Sequence, residues 1–184
     1  MGVMKYRSVL FLIVVLLGCP AYSIALAEQE GNNSGRLVPV TPLVVRSGPR
    51  WSFASGGGIC DELRQVIRDR ETWDIVWKRI YSPDPIYCPY SARVPNASLP
   101  PLPEIDFSRE MLVVAAMGQR PSSGYGIIVN SARERDNRLE IEVHSVSVCG
   151  AAFGIMTAPV DIARLPKTDL PVTFREVEVK RGCK

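Results

Sequence analysis

The sequence predicts an α+β domain: a mostly antiparallel β-sheet or sandwich of about six strands with one main helix at about residues 70–80. Three observations support this fold class. One segment has the apolar period of a helix, one has the strict alternation of a β-hairpin, and several short apolar runs are separated by turn residues. The order of these segments shows no internal repeat.

The helix is predicted from the segment ELRQVIRDRETWDIVWKRIYS. Four apolar residues recur at i, i+3, i+4 and i+7: Trp73, Val76, Trp77 and Ile80. We expect this stripe to pack on a sheet; a ligand-stacking face is the alternative. Asp69 is placed to cap the helix. The period alone does not decide whether residues 63–67 extend the helix or form a strand before it.

The strands are predicted from alternation and from prolines. Met111–Met117 is apolar at every position, which indicates a strand buried on both faces. YGIIVNSA and LEIEVHSV form a hairpin around Asp136 and Asn137, with Leu139, Ile141 and Val143 inward and Glu140, Glu142 and His144 outward. APVDIARLP and LPVTFREVEV are two further short strands. Pro39 and Pro42 make RLVPVTPLVVRSG an extended edge segment.

The first 27 residues are predicted to be a signal peptide. Lys5 and Arg7 precede the apolar run SVLFLIVVLLG, and Ala25 and Ala27 suit a signal-peptidase site. In the alternative, LLGC is a lipobox and Cys19 carries a lipid. We expect residues 28–36 to be disordered and residues 37–184 to form a single globular domain. A secreted or periplasmic protein of the bacterial cell envelope is predicted, with a lipoprotein as the alternative.

The charge balance gives no ground for a nucleic-acid partner. The chain has 22 Lys and Arg against 19 Asp and Glu. Removal of residues 1–27 takes away two basic residues, so 20 remain against 19, a net charge of +1. No second apolar stretch is long enough to span a membrane. Neither a nucleic-acid partner nor a membrane span is therefore expected.

Four cysteines remain after such cleavage: Cys60, Cys88, Cys149 and Cys183. In an exported chain an even count predicts two disulfides, with three connectivities open. We favour Cys88 with Cys149 and Cys60 with Cys183. Free thiols and a metal site are the alternatives, but the spacings are long and His144 is the only histidine. No metal and no cofactor is predicted.

The groups that usually perform catalysis are few. His144 lies on the outward side of a strand, where we expect it to be solvated. Four acidic residues form no recognisable acid/base pair: Asp61, Glu62, Asp69 and Asp74. The glycines at 56–58 lack the Lys-Ser/Thr that follows in a phosphate-binding loop. The sequence therefore predicts a non-enzyme, with a small exported enzyme as an alternative.

The loop GQRPSSGYGIIV is the candidate partner-binding loop, with six residues of interest: Arg120, Pro121, Ser122, Ser123, Gly124 and Tyr125. Pro121 stiffens the loop, the two serines can bond to the backbone, and Gly124 is expected to adopt a positive φ. Tyr125 begins the next strand. The loop is either a shaped turn that sets strand register or a rigid surface for a partner, with Arg120 and Ser122 exposed.

Four ordered motifs carry a family resemblance: W-x-x-x-W at Trp73–Trp77, P-x-I-D-F-S at Pro103–Ser108, R-P-S-S-G-Y-G-I at Arg120–Ile127, and T-A-P-V at Thr157–Val160. From Leu63 to Phe174 the chain resembles the C-terminal domain of the protease-complex subunit PrcB family, which are small exported bacterial proteins. That family usually has Pro-Thr-Gly-Gly-Tyr in the loop, whereas this chain has Pro-Ser-Ser-Gly-Tyr. The resemblance implies an accessory or binding domain of a protease system without its own activity, a strand over Leu63–Ile67 and a helix from about Arg70.

A second resemblance is confined to the same loop. RPSSGY is similar to the Asn-Pro-Thr-Thr-Gly-Tyr loop of chagasin-like cysteine-protease inhibitors, which use loops at one end of a β-sandwich. Arg120 stands where that loop has Asn, the glycine-rich loop precedes the motif, and no Arg-Pro-Trp/Phe loop is present. This resemblance implies a protease inhibitor as a further alternative.

Overall fold

The computed structural model describes residues 35–43, 59–81 and 99–183. Its elements all belong to one compact unit that starts at Arg36. They are β1 (Arg36–Val38), β2 (Thr41–Pro42), β3 (Glu62–Ile67), α1 (Arg70–Tyr81), β4 (Glu110–Met117), β5 (Tyr125–Arg135), β6 (Arg138–Val148), β7 (Val160–Pro166) and β8 (Val172–Arg181). The signal peptide at 1–27, Cys19, the glycines at 56–58 and Cys88 lie outside the described residues.

The strands form two four-stranded sheets. The outer sheet has the order β1-β5-β6-β8, and the central sheet has the order β2-β7-β4-β3. Every pairing is antiparallel except that of β6 with β8, which is parallel. The domain is therefore α+β and mostly antiparallel, as predicted, but its described residues form eight strands instead of about six. The extended segment with Pro39 gives two short strands, β1 and β2, one in each sheet.

Strand β4 separates the two cores of the domain. Met111, Val113 and Ala115 lie in the core between the two sheets. Leu112, Val114 and Ala116 lie in the core between the central sheet and α1. All six side chains are fully buried. The apolar run thus reflects burial on both faces, as the sequence predicts.

The helix begins at Arg70 and covers the central sheet. The Thr72 amide donates to Asp69 Oδ1 at 2.7 Å, so Asp69 is the predicted N-cap. The predicted stripe is buried in the core beneath α1. The Trp73 and Trp77 indoles donate to the Pro103 and Pro100 carbonyls, at 3.1 Å and 2.9 Å. Residues 62–67 form β3, which confirms the strand and helix that the family resemblance implies.

Polar contacts join the two sheets at two places. At the edge, Arg64 of β3 makes two hydrogen bonds to Glu176 of β8, at 2.7 Å and 3.0 Å. In the interior, the Val129 amide of β5 donates at 2.8 Å to the buried carboxylate of Asp161 on β7. These contacts fix the relative placement of the sheets, and with it the positions of the loops at their ends.

The predicted hairpin consists of β5 and β6. Asp136 and Asn137 have φ values of 48° and 57°, which suits the two-residue turn that matches strand twist. The inward and outward sides of β6 are as predicted, since Leu139, Ile141 and Val143 are fully buried. The register shifts between Val129 and Ser131, a bulge that the alternation did not predict.

Candidate protein-binding loops

Two loops lie side by side at one end of the domain. The motif loop, Gly118–Gly124, joins β4 to β5, and the apolar loop, Cys149–Pro159, joins β6 to β7. Arg120 and Thr157 form an antiparallel bridge in which each amide donates to the other's carbonyl, at 2.8 Å and 2.9 Å. The Thr157 hydroxyl also donates to the Ser122 carbonyl at 2.9 Å. The motif loop is therefore bonded to a second loop along its length.

The tip of the apolar loop is held by Ser123. The Ser123 amide donates to the Phe153 carbonyl at 2.9 Å, and the Phe153 amide donates to Ser123 Oγ at 3.0 Å. The Val148 amide donates to the Gly124 carbonyl at 2.9 Å. The two Ser123 bonds fix the backbone of the apolar loop at Phe153, although the side chains of residues 151–156 are exposed.

Glycine is favoured at Gly118 and Gly124 for different reasons. Gly118 has a φ of 73°, and a Cβ there would lie 2.9 Å from the Cys60 carbonyl oxygen. Gly124 does not have a positive φ, so that expectation was wrong. A Cβ at Gly124 would lie 3.0 Å from Ala152 Cβ, so a side chain there would require the apolar loop to shift by a few tenths of an ångström.

The polar residues of the motif loop are less exposed than the sequence suggested. Arg120 is half-buried and donates to Glu62 Oε1 at 2.8 Å. Ser122 is also half-buried, and its Oγ accepts from the Gly124 amide at 3.3 Å. Tyr125 begins β5 and packs against the core between the sheets. Pro121 is exposed. The motif loop is thus well placed to support its neighbour.

The apolar loop presents large side chains to solvent. Phe153 is 78% exposed, Ile155 is 49% exposed and Met156 is 41% exposed. The sequence from Val148 to Val160 contains no charged residue. Sequence reasoning missed this loop as a candidate site. The feature that could have identified it is the charge-free run CGAAFGIMTAP, whose apolar residues recur with neither the helical nor the strand period.

A disulfide fixes the base of the apolar loop. Cys149 is bonded to Cys183, with Cα atoms 4.9 Å apart. The preferred pairing of Cys149 with Cys88 and of Cys183 with Cys60 was therefore wrong. The parallel pairing of β6 with β8 explains the observed bond. It places Val148 opposite Arg181 and so brings Cys149 close to Cys183. Cys60 is also disulfide-bonded.

The outward polar residues of β6 form a cluster around Glu142. His144 Nε2 lies 2.5 Å from Glu142 Oε1, Asn130 donates to the same oxygen at 2.7 Å, and Arg175 pairs with Oε2. Burial acts to raise the pKa of Glu142, but the hydrogen bonds from His144 and Asn130 and the charge of Arg175 outweigh it and hold the pKa below its usual value. His144 is half-buried and not simply solvated. The cluster ties β5, β6 and β8 together.

The other acidic residues considered as candidates have separate partners. Asp61 lies 3.6 Å from Arg79, Glu62 binds Arg120, Asp69 caps α1, and Asp74 lies 2.5 Å from Lys78. Within residues 35–43, 59–81 and 99–183, no group of three or more His, Cys, Asp and Glu could hold a metal ion. In the same ranges no helix is long and apolar enough to cross a membrane.

Comparison with known proteins identifies one family. No curated protein and no solved structure matches the chain. The family described as PrcB C-terminal matches residues 111–166. The matched segment starts within β4, ends with β7 and includes the hairpin and both loops, whereas α1 and β8 lie outside it. Over residues 111–166 the chain therefore resembles the PrcB C-terminal family, and the resemblance predicted from the ordered motifs is confirmed.

Proposed function

We propose that this protein is an exported, non-catalytic accessory domain that binds a protein partner, a component of a protease or envelope complex, through its paired loops. The family match supports an association with a protease system. The Cys149–Cys183 disulfide suits an oxidising compartment outside the cytoplasm.

One observation carries the proposal. The motif loop and the apolar loop are bonded to each other, and together they hold Phe153, Ile155 and Met156 in solvent. A loop that is already ordered loses little conformational entropy when it binds, so its contacts contribute more fully to affinity. Exposed apolar side chains clustered on one loop are typical of protein-binding surfaces.

The test is capture followed by reconstitution. Residues 28–184 are immobilised and exposed to the envelope fraction of the source organism, with a bare resin as the control. We expect a protease or a protease-associated subunit to be retained, and the purified pair to bind in titration calorimetry. Retention of no protein, or turnover of a small substrate by the isolated chain, would contradict the proposal.

A chagasin-like inhibitor is the second candidate function. It is favoured by the position of the RPSSGY motif in a loop at the end of a β-sandwich, next to a second loop. The same reconstitution separates the two functions. An inhibitor lowers the turnover of a captured cysteine protease at stoichiometric concentration, whereas an accessory domain binds the complex and leaves peptide hydrolysis intact.

A further inference from the structure

The side chain with the highest exposure among the large hydrophobic residues that the structure describes is Phe153, at the centre of the apolar loop. We propose that the apolar loop inserts Phe153, flanked by Ile155 and Met156, into a preformed apolar pocket on a folded protein partner. This inference rests on the proposed function and deepens it, because it assigns the contact to residues 153–156, which precede the T-A-P-V motif, and gives the motif loop a supporting role.

The shape and rigidity of the loop favour insertion into a pocket. Phe153 is 78% exposed, yet its amide and carbonyl both bond to Ser123. The disulfide at Cys149 fixes one end of the loop, and the bridge of Thr157 with Arg120 fixes the other. An ordered loop whose apolar side chains stand in solvent is complementary to a concave apolar site. Aromatic residues in such pockets contribute most of the binding free energy at many interfaces.

The charges around the loop argue for a protein and against a lipid surface. Loops and helices that bind membranes combine an apolar tip with a dense basic rim. Here Arg120 binds Glu62, and Arg79 lies beside Asp61. Lys180 and Arg181, at the end of β8, are close in sequence to the disulfide, but Glu178 accompanies them. The four basic side chains named here are nearly balanced by three acidic ones, so the loop lacks a dense basic rim and apolar contact dominates recognition.

The experiment compares Phe153→Ala with Ile75→Ala. Ile75 is a matched control because it is a large hydrophobic residue, 61% exposed, on α1. With the partner captured by the wild-type chain, we expect Phe153→Ala to weaken binding on the order of 30-fold or more, as for a central interface residue. Ile75→Ala should change affinity by less than about 2-fold. Both variants should unfold within about 2 °C of wild type, because both side chains are exposed.

A photocrosslinker locates the contact independently of affinity. p-Benzoylphenylalanine at position 153 should crosslink to the partner on irradiation, and the same residue at position 75 should not. Affinity for the partner should also fall by less than about 3-fold between about 50 mM and 500 mM NaCl, because screening weakens charge pairs and leaves apolar contacts intact.

Each failure has a distinct meaning. If the wild-type chain captures no partner, the proposed function fails together with this inference. If a partner is captured but Phe153→Ala binds it like wild type, only the inference is overturned. Sedimentation with phosphatidylethanolamine–phosphatidylglycerol vesicles that is lost in Phe153→Ser would identify a membrane surface instead. A dimer of the wild-type chain that dissociates in Phe153→Ser would identify a second copy as the occupant.

Discussion

At the scale of single residues, Trp77 combines a buried ring on the apolar stripe of α1 with a hydrogen-bonded indole N–H. Its ring is buried between α1 and the central sheet, with its centroid 5.2 Å from that of Trp73. Its indole N–H donates to the Pro100 carbonyl. The side chain therefore links the helix to the proline-containing segment that covers it, which explains why a large aromatic residue occurs at this position.

We expect Trp77→Ala to lower the free energy of unfolding by about 3–5 kcal/mol, because it removes a buried ring and leaves a cavity. Trp77→Phe is the matched control, since it keeps most of the ring and loses the hydrogen bond, which is worth about 1 kcal/mol. Urea denaturation measures both. A Trp77→Ala variant as stable as wild type that no longer binds its partner would show that the stripe is a contact surface.

Gly124 tests the close approach of the two loops. We expect Gly124→Val to cost about 1–3 kcal/mol, the usual penalty of overpacking, because its Cβ would lie 3.0 Å from Ala152 Cβ. Gly154→Val is the control, since a Cβ there meets no atom within 4 Å, and it should change stability by less than about 0.5 kcal/mol. Thermal denaturation compares the two variants. Equal melting temperatures of Gly124→Val and Gly154→Val would mean that the two loops move apart without loss of stability.

At the scale of elements, α1 depends on its cap as well as on its buried face. The hydrogen bond from the Thr72 amide, followed by that from the Thr72 hydroxyl, lowers the pKa of Asp69 below its ordinary value of 3.8. A carboxylate whose pKa is lower in the folded state stabilises that state above its unfolded pKa. This contribution is lost as the pH falls through the folded pKa.

The cap therefore predicts a pH-dependent difference between variants. Asp69→Ala should lower the urea midpoint at pH 7. The difference in midpoint from wild type should narrow as the pH falls below about 4, where Asp69 of the unfolded chain begins to bind a proton. Asp69→Asn should keep most of the stability at pH 7, because Asn is also a good N-cap, and should be less sensitive to pH. A gap that stays constant down to pH 2 would show that the charge of Asp69 contributes nothing.

The elements that the sequence could predict are those in which one local pattern determines the environment. The run Met111–Met117 is apolar throughout because each side chain reaches one of two cores, and the hairpin alternates because only one face of the outer sheet is buried. The division of the extended segment RLVPVTPLVVRSG into two strands, β1 and β2, could not be predicted from the sequence. It depends on which strand of each sheet lies at the edge, and only long-range pairing decides that.

At the scale of the whole molecule, the candidate site depends on contacts between distant segments. The motif loop was predictable from RPSSGY, but its support of Phe153 was not, because Ser123 and Phe153 are 30 residues apart. The Cys149–Cys183 pairing was also not predictable from the count of cysteines. It follows from the parallel placement of β8 beside β6, for which the sequence has no local signal.

The disulfide should stabilise the whole domain and not only its loop. It joins residues separated by 34 positions, and a loop of that length predicts about 3–4 kcal/mol from the lost entropy of the unfolded chain. We expect Cys149→Ser with Cys183→Ser to lower stability by this amount, as measured by denaturation in urea. Peptide mapping without reductant should recover the Cys149–Cys183 pair from the wild-type chain. Alkylation of both thiols in protein isolated from the envelope would contradict the bond.

Export remains a prediction from the first 27 residues. Intact-mass analysis of protein from the cell envelope should find an N-terminus at Glu28, because Ala25 and Ala27 suit signal-peptidase cleavage. A diacylglyceryl group on Cys19 would instead identify a lipoprotein. A cytoplasmic protein that retains residues 1–27 would contradict both.

The topology of the outer sheet has a consequence for the order of folding. Its two edge strands are the first and the last of the described chain: β1 pairs with β5, and β8 pairs with β6 only after the chain has crossed to the central sheet and returned. Arg36 and Glu134, which form an ion pair, are 98 residues apart. Pairings between segments this far apart in the sequence raise the contact order, which slows folding. The outer sheet therefore cannot be completed until β8 has been synthesised and has reached β6.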